Sequence, residues 1–83
     1  MEAEQWGRRI RAFRKLKGYT QEELARAMTI SVSILGEIER GIRLPTQDQI
    51  NKVTEVLNIS LEELSPKDDS TYLQRGERDV SNR

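Results

Sequence analysis

The side chains of this 83-residue chain that can do chemistry are guanidiniums, hydroxyls, carboxamides and carboxylates; it has no cysteine and no histidine. That leaves out disulfides, thiolate zinc sites, thiol nucleophiles and imidazole acid/base catalysis. The adjacent carboxylates Glu22-Glu23 and Glu62-Glu63 resemble acid/base pairs at first sight. Each instead completes a capping box, Thr20-Gln21-Glu22-Glu23 and Ser60-Leu61-Glu62-Glu63. In both, the hydroxyl takes the third amide and the glutamate reaches back. Carboxylates engaged in caps do not furnish a cleft, and a chain this short has little room for one. No enzyme activity, metal or cofactor is expected. What remains is the polar face of one short helix. Ser31 is a good N-cap and Gly41 sits where a left-handed stop belongs, so Val32–Arg40 reads as helical. Helical residues step by about 100°. With Leu35 and Ile38 inward, the opposite side carries Ser33, Gly36, Glu37 and Arg40, flanked by Val32, Ile34 and Glu39.

The elements that position this face follow from caps and periodicity. Trp6, Ile10 and Phe13, with Leu16 beyond, have helical spacing and predict a first helix from about Ala3 to Lys17, stopped by Gly18. The first capping box opens a second helix, Gln21–Met28, with Leu24, Ala25 and Met28 inward. Thr29 and Ile30 make a short turn into the third. Thr46-Gln47-Asp48-Gln49 caps a fourth helix running to Leu57, with Asn58 as its left-handed end. The third box opens a short fifth helix ending near Ser65-Pro66. Five helices and no strand signal make the fold class all-α. The core is expected from Trp6, Ile10, Phe13, Leu24, Ile30, Leu35, Ile38, Ile50, Val53, Leu57, Ile59, Leu61 and Leu64. Leu16, Val56 and Leu61 are the apolar positions open to partial exposure. Residues 1–65 form one domain. Residues 66–83 are polar, with Tyr72, Leu73 and Val80 as the only large apolar side chains, and read as a disordered tail.

Composition restricts the partners. Lys+Arg and Asp+Glu are 14 each, for a net charge of zero, which argues against a strongly basic nucleic-acid binder. The charge is nevertheless polarised: residues 1–43 carry nine Lys/Arg against six Glu, a net of +3, and residues 44–83 carry −3. No apolar run approaches the ~18 residues of a membrane span and no signal-peptide core is present. The cytoplasm is the expected compartment, with no membrane partner. Arg8, Arg9 and Arg11 read as a solvated face.

Two short helices joined by a turn of three to four residues are a helix-turn-helix, whose second helix lies in the DNA major groove. The run Arg14-Lys15-Leu16-Lys17-Gly18-Tyr19-Thr20-Gln21-Glu22-Glu23-Leu24-Ala25, followed by Ile30-Ser31-Val32-Ser33-Ile34-Leu35-Gly36-Glu37-Ile38-Glu39-Arg40-Gly41, resembles the Xre/Cro-type helix-turn-helix family. That family has the lambda-repressor-like fold. The likeness continues through Pro45 and Asn58-Ile59-Ser60-Leu61-Glu62-Glu63-Leu64 and covers about residues 4–65.

The resemblance implies a sequence-specific transcriptional regulator, a repressor binding a palindromic operator in double-stranded DNA as a dimer. It implies that Gln21 bonds a phosphate and braces the third helix, and that Val32, Ser33 and Glu37, with Gly36 between them, read bases. Arg40 and Arg43 match the segment along the DNA backbone, and Ser31 adds a phosphate bond to its capping role. Arg14 and Glu39 match a partly buried salt bridge tying helix one to helix three. A homodimer face is implied on helices four and five. One departure stands out: none of Val, Ser, Gly and Glu at the reading positions donates two hydrogen bonds to guanine, the commonest specific contact. That departure keeps a rival open, in which the helix-turn-helix scaffold serves as a protein-interaction module or antitoxin-like partner.

Overall fold

The computed structural model describes residues 2–66, so the expected tail lies, beyond Pro66, outside the described residues. Five helices follow one another: α1 Glu2–Leu16, α2 Gln21–Met28, α3 Val32–Glu39, α4 Gln47–Leu57 and α5 Leu61–Leu64. No strand occurs among the described residues. Helix starts are set by side-chain caps. Thr20, Thr46 and Ser60 each accept from the amide three residues on, and Glu23, Gln49 and Glu63 return the bond. Ser31 caps α3 through the Ile34 amide at 3.1 Å. Helix ends are set by left-handed residues. Gly18 and Gly41 have φ of 83° and 80°, and Asn58 closes α4 at 55°. Thr29 closes α2 at φ 62°, a conformation a β-branched residue seldom adopts. Its amide donates to Ala25 and Arg26, which holds it there. The third helix ends at Glu39, one residue before the expected end, because Arg40 serves as its C-cap.

Ile10, Leu24, Ala25, Met28, Leu35, Ile38, Ile50, Val53, Leu57 and Leu64 form the buried core. Trp6, Phe13, Tyr19, Ile30, Ile34, Val56 and Ile59 are half-buried against it. Fully burying one such aliphatic side chain stabilises by ~1.5–3 kcal/mol. Leu35 and Ile38 therefore anchor α3 by the face opposite its polar one. Leu61, expected either in the core or partly exposed, is 49% exposed and lies outside the core. As the first residue of a four-residue helix it sits on the outer side, and Leu64 alone of α5 is buried. Leu16 is fully outside the core, 74% exposed.

The first helix crosses the end of α3 at Gly7, which is buried. A Cβ there would fall inside van der Waals contact of the Ile38 carbonyl oxygen and 2.8 Å from that of Glu39. Only glycine lets the two backbones approach so closely. Arg9 departs from the expected solvated face. Its Nε donates to the Leu64 carbonyl at 2.9 Å and its Nη2 to that of Glu63, and the guanidinium lies 5.6 Å from the Phe13 ring centroid. A cation on the last carbonyls of α5 complements that helix end. The Glu63 carboxyl, which caps the start of α5, is held below its ordinary value, chiefly by the hydrogen bond from the Ser60 backbone.

Candidate nucleic-acid interface

The turn between α2 and α3 holds three residues, Thr29 to Ser31. Ile30 donates its amide to the Ala25 carbonyl at 3.0 Å, folding the turn back on α2. With Leu35 and Ile38 in the core, α3 turns its other side outward. Ser31, Val32 and Ser33 at its start are exposed, as is Arg40 at its end. Of the residues that the helical angles placed on this side, Ser33 and Arg40 are exposed and Glu37 is half-buried, and Val32, expected on its flank, is exposed with them.

Gly36 lies on the same side but presents little surface, because it is buried. A Cβ at Gly36 would come 3.1 Å from Arg40 Nη1 and 3.8 Å from the Gln21 carboxamide. The missing side chain is the space across which Arg40 lies back along α3 toward Gln21. Gly36 thus shapes the surface from below, and Arg40 covers it.

Behind this surface is a buried polar cluster. Arg14 Nε lies 2.7 Å from Glu39 Oε2, and Arg14 Nη2 is 3.1 Å from Glu39 Oε1. Their side chains are 10% and 2% exposed. Arg14 Nη1 also donates to the Tyr19 carbonyl at 2.9 Å, and Gln21 Nε2 donates to Glu39 Oε1 at 3.0 Å. One carboxylate therefore joins α1, α2 and α3, and Gln21 is braced by the helix that follows it. Such fork-to-fork pairing with further donors is what permits two charges to be buried together.

Arg11, Arg14, Gln21, Glu39 and Arg40 line an open concavity of about 500 Å³. Arg14 is neutralised by Glu39, whereas Arg11 and Arg40 have no ion pair among the described residues. The hollow so combines two available cations with a carboxamide, a set suited to an anionic oxygen. Arg11 was missed in the sequence, where it is indistinguishable from its neighbours Arg8 and Arg9. Its register relative to Arg14 places it on the α3 side of α1, a signal that only the crossing of α1 and α3 makes readable.

Glu37 and Arg43 meet on the outer side. Arg43 Nε donates to Glu37 Oε1 at 2.8 Å, so this arginine of the loop after α3 is held against the helix rather than extended from it. The structure thus joins two residues that the sequence assigned separate roles. Beside them, Ile42 and Leu44 are 69% and 51% exposed. Among the described residues there is no cluster of metal-ligating side chains and no helix long and apolar enough to cross a membrane.

Comparison with known proteins agrees with this geometry. A family model described as helix-turn-helix matches residues 10–64. The chain is 71% identical over 66 residues to YazB of Bacillus subtilis (strain 168), an uncharacterized HTH-type transcriptional regulator, covering 80% of this chain and 96% of that one. Among solved structures, the clp gene regulator ClgR from Corynebacterium glutamicum superposes with a TM-score of 0.75. It is 33% identical, over 77% of this chain and 68% of that one. The restriction-modification controller protein C.AhdI from Aeromonas hydrophila gives 0.71 at 35% identity, over 75% of this chain and 94% of that one.

Proposed function

The chain belongs to the helix-turn-helix family, and from that membership we propose that it is a sequence-specific DNA-binding transcriptional regulator acting in the cytoplasm. In this reading α3 enters the major groove. The observation that carries it is the continuity of two surfaces: the exposed Ser31, Val32 and Ser33 of α3, and the hollow with Arg11, Gln21 and Arg40 beside it. Ser33 and Glu37 face base edges, and Val32 meets a thymine methyl. Arg11, Arg40 and the Gln21 amide hold phosphates, which set position without reading sequence. The role is repression by occupying a promoter.

A homodimer through α4 and α5 would place two α3 helices about one helical turn, ~34–36 Å, apart on a palindromic site. Exposed Leu61 and half-buried Val56 support that face. A second reading, a protein-interaction module, is favoured by the exposed Val32, Ile42 and Leu44. Binding to a genomic fragment library at two salt concentrations separates the two. A regulator recovers a few palindromic fragments far more tightly than bulk DNA. Uniform, salt-labile binding or none at all overturns the regulator. Each of Arg11→Ala and Arg40→Ala is expected to lower the salt slope by about one unit on every sequence. An unchanged slope for both removes the phosphate role.

A further inference from the structure

Glu37 and Arg43 are built as one unit at the outer side of α3. Arg43 Nε donates to Glu37 Oε1 at 2.8 Å and its Nη2 lies 2.8 Å from the same oxygen. The other carboxylate oxygen, Oε2, has no partner among the described residues. The backbone enforces the pairing: the Glu37 carbonyl accepts from the amides of Ile42 at 3.0 Å and Arg43 at 3.3 Å. The loop is thus folded onto the very residue whose side chain it pairs with. The side chains of Arg43 and Glu37 remain 49% and 35% exposed, so the unit is open to a ligand.

Two chemical consequences follow. The pair is neutral, which removes the repulsion a lone carboxylate would meet among phosphates. It also sets an acceptor, Oε2, beside the remaining guanidinium N–H donors. In the major groove a C·G pair offers a donor at cytosine N4, then acceptors at guanine O6 and N7. An acceptor followed by a two-donor fork is the complement of that order. An A·T pair places its donor between two acceptors and ends in a methyl group, so the carboxylate at the end of the unit would face an acceptor.

We propose that Glu37 and Arg43 read one C·G base pair together, Glu37 accepting from cytosine N4 and Arg43 donating to guanine. A loop residue then supplies the guanine donor that α3 lacks, and Arg43 is a specificity residue rather than a phosphate ligand. The proposal rests on the DNA-binding reading above and extends it to a base pair.

The test is selection of duplexes from a random-sequence library by the full chain, using wild type, Glu37→Gln, Arg43→Ala and the double variant. A thermal melt of each variant checks folding. Wild type is expected to fix one C·G position per half-site, preferred about tenfold or more over the other pairs, as a bidentate contact supports. Both single variants lose that preference and keep the others, and the double variant loses no more than either. If Arg43→Ala keeps the C·G preference while affinity falls evenly and the salt slope drops by about one unit, Arg43 is a backbone contact and the proposal fails. A wild-type motif in which neither variant changes a C·G position overturns this proposal alone. A wild type that selects no motif overturns it together with the proposed function.

Discussion

Two arginine–glutamate pairs have their glutamates two residues apart on α3, and they differ in everything but composition and length. Arg14–Glu39 at 2.7 Å is nearly enclosed, and two further donors or acceptors, Tyr19 and Gln21, complete it. Arg43–Glu37 at 2.8 Å stands at the surface with one carboxylate oxygen unclaimed. Distance is therefore no guide to role. In the first pair little of either side chain is left to water, so removing either partner strands a charge that is poorly solvated. In the second, water or a ligand takes over at once. The contrast separates holding the helix from what the helix presents: Glu39 ties α3 to α1, and Glu37, two residues away and about 200° around the helix, is presented at the surface with Arg43.

Removing one charge of the enclosed pair should do the most damage. Arg14→Ala and Glu39→Ala are each expected to cost ~3–5 kcal/mol. That is comparable with the whole stability of a small domain, so each variant should be largely unfolded by far-UV circular dichroism at 37 °C. Replacing both partners together, Arg14→Met with Glu39→Leu, should recover most of that loss. The recovery falls short of complete because the Tyr19 carbonyl and the Gln21 amide lose a partner. Single variants that melt within a few degrees of wild type would mean that water reaches the cluster and that the two pairs are alike after all.

The next largest effect tests why the inner pair is enclosed. Gly7 lets α1 approach the last turn of α3, over Ile38 and Glu39. Gly7→Ala forces the two backbones apart and is expected to cost ~1–3 kcal/mol, against the gain that alanine brings to an ordinary helix. At ~4–8 °C per kcal/mol for a domain of this size, the melting temperature should fall by several degrees or more. A rise would show that α1 can shift without disturbing the cluster.

How far these roles could be read in advance depends on whether they are local. Caps and stops act over three or four residues. Thr20, Ser31, Thr46, Ser60, Gly18, Gly41 and Asn58 therefore all declare themselves in the sequence and stand where the structure has them. The inward and outward sides of α3 are equally local, since Leu35 and Ile38 alone orient it. Roles that depend on how helices cross are invisible in one chain read linearly. Gly7 looks like a blemish in α1, Arg9 and Arg11 look identical although one docks on α5 and the other lines the hollow, and Gly36 looks like a reading position although Arg40 covers it. The buried Arg14–Glu39 pair came from family resemblance, 25 residues apart and with no local signal. Arg43–Glu37 was missed because the loop doubles back through backbone bonds to the Glu37 carbonyl.

The smallest expected effect on stability belongs to the outer pair. Arg43→Ala and Glu37→Gln each expose groups that water already reaches, so each should change stability by only ~0–1 kcal/mol, less in high salt. The melting temperatures of the two variants at 50 and 500 mM salt measure this directly. Near-equality with wild type, alongside a large change in the DNA sequences selected, would separate the two pairs completely: one sets whether α3 is held, the other what α3 reads. A loss of 3 kcal/mol or more would instead make Arg43 a structural clamp on the end of α3. The free carboxylate oxygen of Glu37 would then be a by-product of that clamp, and the division between the two pairs would collapse.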